Sequence, residues 1–234
     1  RGSPASPNAP ATATATTAAL DSGKAHHPGP AAATSPATTD SVIRARLRED
    51  ADADGRYEAA GGQLAPLQAE RSRLEAQLEA RGGACCETLW RLARVCYGQH
   101  ESADGEALGK GWRQGAMGDA VRFAARAVET QPASGSSSVE RWAGIVANGE
   151  RAYLGVKEGI GRAFAIRDHF TRAAKLNPKD ATTRHLLGQW KLGVANISWV
   201  ERKAASLLFA KPPTASLEDA LADFQAAERI DPGF

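Results

Sequence analysis

The sequence predicts an all-α protein of antiparallel helical hairpins stacked in a right-handed superhelix. Two observations carry this. From residue 84 onward the apolar positions recur at helical spacing, with no convincing run of period two. Three segments also end alike, each on a proline: Ala120–Pro132, Ile166–Pro178 and Ala220–Pro232. Aligned on that proline, Ala120, Ile166 and Ala220 stand 12 residues before it. Ala124, Phe170 and Phe224 stand 8 before it, and Ala127, Ala173 and Ala227 stand 5 before it.

This is the second-helix signature of a tetratricopeptide repeat. Alanine lets two helices approach closely, the aromatic fills the gap one turn earlier, and proline ends the helix. Each second helix calls for a first helix before it. Trp90, Ala93 and Tyr97 fit one over Leu89–His100. Trp142, Ile145 and Gly149 fit the next over Val139–Leu154, and Leu187–Gly188 fit the third over Ala181–Ile197. The repeat is longer than the standard 34 residues, so long inter-helix insertions are expected. Gly155, Gly159 and Gly161 read as a Gly-rich connector in the second hairpin. The third insertion, Ser198–Ala210, is amphipathic and reads as helical.

Three regions follow. Residues 1–40 are Ala, Thr, Pro, Ser and Gly with almost no large apolar side chain. Such a segment buries too little surface to offset its ordering entropy, so a disordered arm is expected. Residues 41–83 are densely charged and read as a lead-in helix or helices. There Leu67, Leu74 and Leu78 form one stripe along a lead-in helix over about 66–81, bracketed by Gly61–Gly62 and Gly82–Gly83. Residues 84–234 hold three hairpins. The chain starts at Arg1, its one methionine is Met117, and it stops just after the third proline. A fragment is therefore expected, with its closing C-terminal helices missing.

Catalytic patterns are not apparent. Cys85, Cys86 and Cys96 are an odd number, which is no disulfide framework, and they read as reduced thiols. The glycines at 155–161 are followed by no Lys-Ser/Thr, so they do not read as a phosphate loop. His169 and His185 lack a nucleophile partner and read as packed or surface residues. We expect no enzyme, no cofactor, no metal site and no nucleic-acid partner. No stretch of 18 apolar residues is present to span a membrane.

Two features point to binding. Net charge is only +2, but residues 135–212 carry 13 Lys/Arg against 6 Asp/Glu. Arg162, Arg167, Arg172, Lys175, Arg184, Lys191, Arg202 and Lys203 read as a basic face for an acidic partner. Trp190, Trp199, Leu207, Leu208 and Phe209 read as the lining of an apolar pocket between repeats.

Six motifs in register carry a more specific likeness over about residues 85–234. They are Leu89-Trp-Arg-Leu-Ala-Arg94, Tyr153-Leu-Gly-Val-Lys-Glu-Gly159, Leu176-Asn-Pro-Lys-Asp-Ala181, His185-Leu-Leu-Gly188, Ser198-Trp-Val-Glu-Arg-Lys203 and Leu208-Phe-Ala-Lys-Pro-Pro213. With the Ala220…Phe224…Ala227 helix that follows, they resemble the regulator of microtubule dynamics family. The resemblance implies a repeat domain that associates with microtubules and spindle poles, in the cytoplasm. It implies as an alternative a phospholipid-handling tether at a contact between the mitochondrial surface and the endoplasmic reticulum; the helical repeats alone leave open a generic peptide-binding scaffold. The arm over 1–40 does not resemble the family, and the lead-in over 41–82 matches it poorly.

Overall fold

Helix ends fall where glycine, proline and capping side chains put them. The computed structural model describes residues 36–197, 199–208 and 213–233. The chain divides into two units, Arg1–Ser41 and Val42–Phe234. Of the first, only the opening of helix α1 (Pro36–Ala60) is described, and the rest of the expected arm, residues 1–35, lies outside the described residues.

The second unit is a series of antiparallel hairpins. Helix α1 turns back into α2 (Leu64–Ala80) through Gly61 and Gly62, at φ +53° and +78°. Only glycine enters that left-handed region without steric cost. Leu67, Leu74 and Leu78 of α2 are buried, as their spacing predicts. Helix α3 (Cys86–Glu101) pairs with α5 (Lys110–Thr130), with a short α4 (Ala103–Ala107) between them. Helix α6 (Ser137–Glu150) pairs with α7 (Val156–Leu176). Helix α8 (Ala181–Ala195) pairs with α10 (Leu217–Ile230), with α9 (Trp199–Leu208) in the connection. Successive hairpins touch through α2 on α3, α3 and α5 on α6, and α7 on α8. Among the described residues there is no strand.

The prolines act through the residue before them. Gln131, Asn177 and Asp231 leave the helical region, at ψ 152°, 87° and 92°. A following proline clashes with the helical conformation and forces that exit. The next helices start on side-chain caps. Ser136 accepts from the Val139 N–H, Asp180 from the Thr183 N–H, and Ser216 forms a capping box with Asp219.

The repeated alanines lie at the helix contacts: Ala120, Ala127, Ala173, Ala220 and Ala227 are all at most 2% exposed. In two hairpins a glycine of the first helix receives the ring of the second. A Cβ on Gly144 would sit 2.4 Å from the Phe170 ring, and one on Gly188 would sit 2.7 Å from Phe224. Gly149, which also fits the first helix of the second hairpin, faces Tyr97 and Met117 of the preceding hairpin.

One expectation is corrected. Gly155, Gly159 and Gly161 are not a connector. A single 3-10 turn (Arg151–Tyr153) links the helices, Gly155 precedes α7, and the other two lie inside it. Each glycine costs a helix about 1 kcal/mol, but burying Ala163, Ile166 and Phe170 on the same helix outweighs that. The charged lead-in, expected as a helix or helices, holds two, and α1 runs back along α2 with Arg56 bonded to Glu70 and Glu49 to Gln77.

Two apolar clusters result. One joins α1, α2, α3 and α5 and takes in Val139 and Val146 of α6; the other joins Ala147 of α6 to α7 and α8.

Candidate partner-binding surfaces

Space remains between the packed hairpins. A cavity of about 490 Å³ lies among Tyr97 of α3, Ile145 and Asn148 of α6, Ile166 and Phe170 of α7, and Trp190 and Val194 of α8. The Trp190 indole N–H donates to the Ala163 carbonyl at 3.0 Å, which fixes the ring as a wall. A second cavity, of about 340 Å³, lies among Leu154, Val156, Ile160, Ala205 and Pro213. The two are neighbours and share Arg151, Ala163 and Ile197 as walls. Arg151 and Arg202 supply its cationic groups.

Of the predicted pocket residues, Trp190 lines the first cavity. Leu207 does not: it is 82% exposed. Ala205 is buried on α9, and two residues further on a helix has turned by about 200°. The side chains of Trp199 and Leu208, and all of Phe209, lie outside the described residues. Ile166 and Ile160 form walls that sequence reasoning missed. Ile166 carried a signal, because it occupies the position 12 before the proline.

The predicted basic residues do not lie on one surface. On α7, Arg162 and Arg167 flank the buried stripe on opposite sides, while Arg172 and Lys175 lie on the outer face. Most are also neutralised by acids of the chain. Arg162 meets Glu150 at 2.6 Å, Arg167 meets Asp168 at 2.8 Å and Arg172 meets Glu140 at 3.0 Å. Arg184 and Lys191 both approach Asp223, at 3.5 and 2.7 Å. The contacts of Glu150 Oε2 and of Asp223 Oδ2 are close in charge but lack hydrogen-bond geometry. Arg202 stands beside the second cavity, and Lys175 and Lys203 are exposed.

Glu140 ties this region together. Its side chain is 5% exposed, and its Oε1 accepts from Gln131 Nε2 at 2.9 Å. Its Oε2 accepts from Arg172 Nε at 3.0 Å and from His169 Nδ1 at 2.7 Å. Burial pushes its pKa up, but the hydrogen bonds from His169 and Gln131 and the charges of His169 and Arg172 outweigh that and hold it below the ordinary value.

The three thiols are free. Cys96 is sealed in the first cluster, and burial pushes its pKa to about 12. No group of three or more His, Cys, Asp or Glu suited to a metal ion occurs among the described residues.

Residues 64–234, from α2 to the end of α10, match the family model of regulator of microtubule dynamics proteins 1-3. The chain is 37% identical over 148 residues to regulator of microtubule dynamics protein 1 of Mus musculus, covering 63% of this chain and 47% of the relative. It is 37% identical over 145 residues to the protein of that name from Homo sapiens, covering 62% and 45%. Protein 3 of Xenopus laevis is 31% identical over 148 residues, covering 63% of this chain and 31% of the relative. The chain thus spans about half the length of the mammalian relatives it matches. The expected likeness holds and extends further toward the N-terminus, through α2: the chain belongs to the regulator of microtubule dynamics family.

Proposed function

We propose that this chain is a non-catalytic helical-repeat adaptor that associates with microtubules and helps to regulate their dynamics. The observation that carries the proposal is the family match, which takes in α2 to α10 as one continuous run. Its setting would be cytoplasmic microtubules and the spindle. The contact would rest on cations at the surface of the array. Lys175 and Lys179 are exposed and close together at the end of α7. Arg162 and Arg172 are poorer candidates, since reversing them would set a carboxylate against Glu150 or Glu140. The test is co-sedimentation with stabilised microtubules at low and high salt. Pelleting is expected at low salt and should fall at high salt, because exposed charges are screened within about 10 Å at 0.1 M. Lys175→Glu with Lys179→Glu should lower pelleting several-fold while keeping the helical circular dichroism. Absence of pelleting at either salt would overturn the proposal.

A second reading is favoured by the two neighbouring cavities, namely a phospholipid-binding module at an organelle surface such as that of the mitochondrion. An acyl chain suits the apolar lining, and Arg151 and Arg202 suit a phosphate headgroup. Solvent extraction of the purified chain followed by mass spectrometry should then yield phospholipid. Gly159→Trp, which fills the second cavity, should lower the yield. A clean extract from the unaltered chain counts against this reading. No described helix is long and apolar enough to cross a membrane.

A further inference from the structure

Helix α1 is held to the array by charge more than by apolar burial. Its buried side chains are Ala53 and Ala60, with Tyr57 half-buried. What fastens it is the acidic run Glu49-Asp-Ala-Asp-Ala-Asp54, together with Arg56, which donates to the buried Glu70 of α2. Glu49 and Asp50 each meet Arg81 at 2.9 Å. Asp54 accepts a forked pair from Arg91, at 3.0 and 2.8 Å, and a third bond from Arg94 at 2.6 Å.

The three arginines form a cradle on α2–α3. Their side chains are only 6–8% exposed. Arg91 lies over the Trp90 ring at 4.2 Å, and Arg94 lies between Tyr57 and Trp90 at 4.2 and 5.1 Å. The cradle offers more donors than α1 satisfies. Arg81 Nε and Arg94 Nε are buried without an acceptor, although each guanidinium brings five N–H groups. Burying paired charges roughly breaks even in free energy. Exchanging one set of carboxylates for another in this cradle therefore costs little.

We propose that Arg81, Arg91 and Arg94, floored by Trp90, are a docking site for an acidic polypeptide segment, and that the acidic run of α1 is its intramolecular occupant. A tethered occupant competes at an effective concentration on the order of millimolar. The site therefore favours a segment presented in many copies over a single free peptide. This inference shares with the microtubule proposal only the acidity of the partner, and either stands if the other fails.

The test uses the full chain and a fluorescent decaglutamate peptide followed by anisotropy at low salt. Asp50→Asn with Asp54→Asn should open the latch. Peptide affinity should rise about tenfold, because apparent affinity scales with the open fraction. Hydrogen exchange should quicken over residues 42–60 and stay slow over α6 and α7. Adding Arg91→Gln and Arg94→Gln should abolish the gain. Faster exchange with unchanged peptide affinity would overturn the docking site, and unchanged exchange would overturn the latch. If the double variant loses its helical circular dichroism, Glu49→Gln replaces it, since that carboxylate is 57% exposed. An expected gain of about twofold would support the proposal, and no gain would overturn it. Microtubule co-sedimentation reads the other proposal separately.

Discussion

Replacing Phe170 by alanine is expected to cost about 3–5 kcal/mol, the usual range for deleting a buried aromatic ring. The ring is 3% exposed and sits in the notch that Gly144 leaves. The reciprocal change should also destabilise. Gly144→Ala improves helix propensity by about 1 kcal/mol, but its methyl would sit 2.4 Å from the Phe170 ring, which must leave its packed position and move toward the cavity it lines. Overpacking of this kind costs about 1–3 kcal/mol, and a clash with a buried ring belongs at the upper end. We expect a net loss of about 2 kcal/mol, or a fall in Tm of about 4–8 °C. Gly118→Ala on α5, where nothing lies within 4 Å, should instead stabilise by about 0.5–1 kcal/mol. Gly144→Ala combined with Phe170→Leu should cost less than the two single changes together, with a coupling of about 1 kcal/mol. Denaturant unfolding of the variants measures all of these. A neutral Gly144→Ala would mean that the ring does not need the notch.

Removing the Glu140 carboxylate should be the next most damaging change. Glu140→Ala strips an acceptor from Gln131, His169 and Arg172 at once. Arg172 is 49% exposed and can return to water, so we expect about 2 kcal/mol rather than the 3–5 kcal/mol of a fully buried pair. The effect should depend on pH. The folded-state pKa lies below the unfolded one, so the Glu140 contribution is complete above the ordinary glutamate value of about 4.3. It fades as pH falls through the depressed folded value. Unaltered chain and variant should therefore differ most near neutral pH and converge below about pH 4. A gap that stays constant down to acid would show that the carboxylate contributes no charge-dependent stability. For this reason charge reversal at Arg172 is a poor probe of partner binding, because it would disturb α6 and α7 at the same time.

What the sequence made legible was the chemistry of near neighbours. A proline acts on the residue before it and an alanine permits a close helix contact, so Pro132, Pro178 and Pro232 and the alanines five residues earlier marked three second helices. Pairings between distant residues were not legible. Arg184 and Asp223 stand 39 positions apart, and nothing local says that Lys191 shares the same carboxylate. The role of α1 was hidden for a related reason. Its docking is polar, so no apolar period announced a partner for α2. Leu207 failed as a pocket residue because an amphipathic helix has an apolar side in sequence, while its neighbours decide which side is covered. The ring-accepting role of Gly144 was not legible either, because nothing in the first-helix pattern says which glycine faces Phe170.

Helix α6 contributes Val139 and Val146 to one apolar cluster and Ala147 to the other. This gives the chain a direction of assembly. Domains fold from the N-terminus during synthesis, and in repeat arrays each unit leans only on its neighbours. Once α6 has left the ribosome, every helix of the first cluster is present and can close without waiting for α7. The far side of α6 is then a finished template on which α7 and α8 condense, so the growing chain always presents one prepared edge instead of two unformed halves.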